Sequence, residues 1–229
     1  MPAGHRTRDD RGTLTKATEA IYWLVVIDVL LVLASLPTAM VWMLLAQDAS
    51  NIPLYTASLL FVMPAVAAAF WAWRARAEDL DPVPLSRFLR GYRLNVLDSL
   101  KIGVPGVVVL TVLATNITYG EAAGTSFLNV AFVAFAVMVV MVMTRALSIL
   151  STFSFRFVDV LRLSVFTLLT MPLRTLSMLS LWVLMAGISV LVGDYAFLFT
   201  ASLLTLTMYH SERPVISRIR GQFVSDPEE

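Results

Sequence analysis

A chain of 229 residues that is 58% hydrophobic and 14% charged, with a mean hydropathy of +0.79, carries more apolar surface than a soluble domain of this size can bury. A net charge of +1 with no clustered basic domain excludes a nucleic-acid partner, and zero cysteines exclude a disulfide framework, a thiolate nucleophile and a Cys-based metal site. The bilayer is the expected solvent.

Residues 1–20, with Arg6, Arg8, Arg11 and Lys16, read as a cytoplasmic N-terminal tail. The hydrophobic run that follows, Ile21 to Ala46, is too long for a signal-peptide core and reads as a retained first span. Crossing about 30 Å of hydrocarbon at about 1.5 Å per residue takes roughly 20 helical residues. Five further runs approach that length: Leu54 to Trp73, Ile102 to Thr118, Phe127 to Thr144, Thr175 to Val192 and Tyr195 to Tyr209, the last two joined only by Gly193 and Asp194. The expected architecture is therefore an all-α polytopic bundle of six transmembrane helices over residues 21–210. Residues 211–229 read as a cytoplasmic C-terminal tail.

All seventeen Lys and Arg residues fall into four blocks: the N-terminal four; Arg74, Arg76, Arg87, Arg90, Arg93 and Lys101; Arg145, Arg156, Arg162 and Arg174; and Arg213, Arg218 and Arg220. The loops around Asp48, Glu121 and Asp194 contain none, so every block lies on one face, and the positive-inside rule makes that face cytoplasmic. Tyr22, Tyr92 and Tyr209 fall at the basic face and Tyr55, Tyr119 and Tyr195 at the other, as interfacial rings should.

Two cytoplasmic segments look like helices lying in the headgroup plane. Between Pro84 and Lys101 the residues Leu85, Phe88, Leu89, Tyr92, Val96 and Leu100 make an apolar stripe, with Arg87, Arg90, Arg93 and Asp98 off it. Phe155 to Met171 carries Arg156, Asp159 and Arg162 at three-residue spacing and stops at Pro172. Asp98 with Lys101, and Arg156 with Asp159, could engage a soluble partner, although ion pairs on a helix surface are the commoner meaning of that spacing.

Ser35-Leu36-Pro37, Met63-Pro64-Ala65, the run from Phe88 to Asn95, Phe155-Arg156-Phe157 and the run from Met171 to Leu176 resemble the YesL-type family of bacterial membrane proteins. The likeness extends from about Ile21 to Arg220 and is carried by order and spacing. It implies an auxiliary role in carbohydrate uptake in the bacterial cytoplasmic membrane, because members are commonly encoded beside sugar ABC transporters and glycoside hydrolases. It supplies no catalytic residues.

Asp28 is the sharpest anomaly, lying about 10 Å along the first span, where an ionised carboxylate costs on the order of 2.5–3.5 kcal/mol. It reads either as a proton or substrate contact paired with Arg145, or as a structural cap or ion pair that fixes helix register. Pro37, Pro64 and Pro105 are candidate kinks that could open a midplane cavity. Ala65, Ala68, Ala69 and Ala72 give the small-residue spacing of close helix packing. His5 and His210 are isolated, and no residue set suggests a metal or other cofactor.

The leading functional expectation is a non-enzymatic accessory protein of a sugar-uptake system, with the lipid bilayer and a sugar ABC transporter as partners. The alternative is a small-molecule transporter or substrate-capture subunit, and an intramembrane enzyme stands third.

Overall fold

The computed structural model describes residues 13–78, 83–122, 126–193 and 197–223. His5, Arg6, Arg8, Arg11, Asp194, Tyr195 and residues 224–229 lie outside the described residues. The described residues form α1 (Thr13–Leu44), α2 (Ile52–Ser58), α3 (Val62–Ala77), α4 (Pro84–Ala122), α5 (Ser126–Leu150), α6 (Phe157–Thr170), α7 (Pro172–Val192) and α8 (Phe197–Phe223), with no strand among them.

Five stretches are long and apolar enough to cross a bilayer: Thr15–Leu44, Ala49–Ala77, Pro84–Gly120, Leu128–Leu150 and Pro172–Val192. Their outward faces remain apolar, as Val25, Val29 and Leu33 on α1 and Val104, Val108 and Val112 on α4 illustrate. Side chains left outside in this register need lipid around them. The protein is membrane-embedded. The expected sixth run lies in α8 and is helical from Phe197, but it is not among these five stretches. Its helix continues through Pro214 into charged sequence, so no break separates the run to Tyr209 from residues 211–223.

The first four apolar stretches alternate in direction. Trp23 meets Trp73 in a tilted ring contact, centroids 6.2 Å apart, at one end of the α1/α3 contact, while Thr38 Oγ1 donates to Ser58 O at 2.6 Å toward the other. Between α1 and α2, Asp48 caps the short 3-10 turn, its Oδ1 accepting from the Ser50 backbone N–H at 2.8 Å, and hydrogen bonds from the Ser50 side chain and backbone hold the Asp48 carboxyl below the usual carboxylate range. The alanine spacing on α3 marks close packing: Ala65, Ala68, Ala69 and Ala72 are fully buried against Trp23, Ile27, Leu31 and Phe88.

The prolines behave differently from one another. Pro37 and Pro105 lie inside continuous helices. Pro64 sits in the first turn of α3, just after a 3-10 turn at Leu59–Phe61. Proline cannot donate to the carbonyl four residues back, so the ladder tightens ahead of it, and the second span is broken into α2, the 3-10 turn and α3.

The segment from Pro84 to Lys101 is not a separate interfacial helix. It is the first half of α4, which runs 39 residues without interruption. Its buried stripe is Phe88, Gly91, Asn95, Ser99 and Ile102, turned toward α3, while Leu85 and Leu89 of the expected apolar stripe stay exposed, as do Leu94 and Leu97. Two glycines set the approach: a Cβ on Gly91 would stand 2.8 Å from Trp71 Cβ, and one on Gly103 would stand 3.0 Å from Leu60 Cδ2. At about 1.5 Å per residue α4 is close to twice the hydrocarbon thickness, so its charged first half extends past the apolar layer. The second such segment is a distinct helix, α6, which packs Val160, Ser164, Thr167 and Leu168 inward. It ends at Met171 before Pro172 opens α7.

Candidate functional site

Arg145 is the only fully buried arginine among the described residues. It sits on α5 in the register Met141, Arg145, Ser148, which helical spacing turns to the interior. Its Nη2 donates to Oε1 of Glu212 at 2.9 Å, and the two side chains are 0% and 1% exposed. Glu212 occupies the same kind of position on α8, in the buried stripe Met208, Glu212, Val215, Ile219. A charged pair is therefore inserted into the apolar seam between two helices. Arg174, exposed at the start of α7, also acts electrostatically on Glu212.

This pair is incompletely satisfied. Arg145 Nε and Nη1, and Glu212 Oε2, are buried with no hydrogen-bond partner among the described residues. So are Ser211 Oγ, next to Glu212 on α8, and Trp182 Nε1 on α7. Trp182 packs against the cluster of Met141, Leu168 and Met178, whose Met141 lies one turn before Arg145. Buried polar atoms are normally paired, and those left over call for water, a ligand or a functional explanation.

Asp28 is not the partner of Arg145. Its Oδ1 accepts from the backbone N–H of Ser202 on α8 at 2.8 Å. About one turn along α8, Trp73 Nε1 on α3 donates to Thr205 Oγ1 at 3.1 Å. The Asp28 contact ties α1 to α8. The two members of the expected intramembrane polar site thus belong to separate contacts that share α8.

Of the cytoplasmic candidates, Arg90, Arg93, Asp98 and Lys101 are exposed on α4 and Arg87 is half-buried. Lys101 Nζ lies 2.7 Å from Asp98 Oδ1, an ion pair along the surface of one helix. Arg156 caps the start of α6, Asp159 lies in its first turn, where a carboxylate complements the helix dipole, and Arg162 is exposed one turn on. Among the described residues no group of three or more His, Cys, Asp or Glu is placed to hold a metal ion.

No family model matches the chain, and neither a curated protein nor a solved structure matches it.

Sequence reasoning missed Glu212 and Ser202. Glu212 was legible in principle, since it falls at four- and three-residue spacing between Met208 and Val215 and so sits in an apolar register. Its neighbours Ser211 and Arg213 made it look like one charge of a solvated tail. Ser202 contributes a backbone group, which no side-chain pattern reveals.

Proposed function

We propose that this membrane protein is a non-enzymatic accessory component of bacterial carbohydrate uptake, carried in the cytoplasmic membrane with both termini inside. In this reading the run from Tyr195 to Tyr209, helical from Phe197 onward in α8, forms a sixth span. The family resemblance supports the carbohydrate context, and the confinement of Lys and Arg to one face supports the orientation.

The observation that carries the accessory role is the first half of α4. Its buried side packs against α3, while Arg90, Arg93 and Lys101 are exposed, beside the exposed Leu85, Leu89, Leu94 and Leu97, along a helix that extends beyond the apolar layer. That leaves a rigid, basic, protein-supported surface where a transporter's cytoplasmic part could dock. Co-purification of the tagged protein in mild detergent tests it. A sugar ABC transporter should stay bound, and replacing Arg90, Arg93 and Lys101 together with Gln should release it without lowering the protein's melting temperature. Purification without any transporter, from cells growing on the relevant sugars, would oppose the reading.

A second reading, a transporter or substrate-capture subunit, is favoured by one observation. The Arg145–Glu212 pair brings unpartnered polar atoms into the bundle interior.

A further inference from the structure

We infer that the Arg145–Glu212 pair is a binding site for a neutral, hydroxyl-bearing small molecule. The accessory role proposed above needs no ligand, so the two ideas stand or fall separately.

After Nη2 is given to Glu212, the guanidinium of Arg145 still presents N–H groups on Nε and Nη1, and the carboxylate still presents Oε2 as an acceptor. Both side chains are almost wholly removed from solvent, so bulk water does not serve these atoms at the surface. Leaving them unmet inside an apolar bundle is costly.

Charge then selects the class of ligand. An anion would satisfy the Arg145 donors but would meet the Glu212 carboxylate in the same pair, with its Oε2 already lacking a donor. A cation would satisfy Oε2 and be repelled by the guanidinium. A neutral hydroxyl accepts from Arg145 and donates to Glu212 at once, leaving no charge uncompensated. The indole N–H of Trp182, on α7 in contact with both α5 and α8, and the hydroxyl of Ser211, next to Glu212 on α8, are likewise buried without partners and add the same mixed donor and acceptor character. Because the pair is enclosed, entry requires α5 and α8 to separate locally, and the occupant is small.

The test is thermal denaturation of the full-length protein in mild detergent, with glucose and ribitol as neutral probes and acetate and phosphate as anionic ones. All are used in the millimolar range, where general solute exclusion is negligible. The expected result is a saturable rise in melting temperature with a neutral probe, reaching several degrees when the probe is about a hundredfold above its Kd, and no rise with the anions. Glu212→Gln or Arg145→Lys, where folded, should abolish the rise. If neither variant folds, the comparison of neutral and anionic probes on the natural protein decides alone. An equal or larger rise with an anion overturns the assignment. So does no rise with any probe, which would mean that water alone fills the unpaired positions, and so does a rise that persists unchanged in a folded variant.

Discussion

Removing one partner of the Arg145–Glu212 pair should be among the most damaging single changes in this protein. Glu212→Ala leaves a guanidinium that is 0% exposed, with Nε and Nη1 already unpartnered and now Nη2 as well. Breaking a buried pair in this way costs about 3–5 kcal/mol, because an uncompensated charge stays behind. For a chain of this size each kcal/mol corresponds to about 2–4 °C, so the melting temperature should fall by roughly 6–20 °C. Arg145→Met together with Glu212→Leu removes both charges while keeping apolar volume, and should recover most of the loss. The assay is tryptophan-monitored thermal unfolding in detergent, run as a double-mutant cycle. Strictly additive losses, or a single-variant loss below about 1 kcal/mol, would contradict a desolvated pair. Combining Arg145→Gln with Asp28→Asn should be additive, since the two residues contact different groups on α8.

Asp28→Ala should cost about 1–3 kcal/mol by leaving the Ser202 N–H without its acceptor, whereas Asp28→Asn, which keeps a carbonyl oxygen, should cost less; equal losses would argue against that hydrogen bond. Gly91→Ala should destabilise by about 1–3 kcal/mol, because its Cβ would meet Trp71 at 2.8 Å, while Gly187→Ala, facing open space on α7, should be neutral or stabilising by up to about 1 kcal/mol; melting temperatures of the two variants make the comparison. Trp73→Phe should lose about 1 kcal/mol through the missing indole N–H donor, the Thr205 hydroxyl keeping its own donation to Ser202 O, and in a double-mutant cycle the losses of Trp73→Phe and Thr205→Val should be less than additive.

Much of the architecture was legible because length and hydropathy are one-dimensional properties. The runs beginning at Ile21, Leu54, Ile102, Phe127 and Thr175 all fall within helices long and apolar enough to cross a bilayer, and the alanine spacing on α3 correctly announced close packing. The sequence was silent on what an apolar stripe faces. Phe88 and its neighbours would look the same against acyl chains or against α3, and the deciding feature was the absent side chain at Gly91, which admits Trp71. Partner choice was hidden for a similar reason. Depth along a helix brought Asp28 and Arg145 together on paper, but azimuth decides contacts, and both residues turn toward α8. Glu212 was passed over because a charge beside Arg213 reads as surface until the register from Met208 to Ile219 is followed through it.

The orientation of α8 carries the account, since it sets the side of the membrane to which the C-terminus returns. Reporter fusions after Asn51 and after Glu229 measure it directly. The first should report outside and the second inside, with the four basic blocks retained in the cytoplasm and α8 crossing as the sixth span. An outside signal at both positions would mean that five helices cross and α8 does not, and would contradict the account.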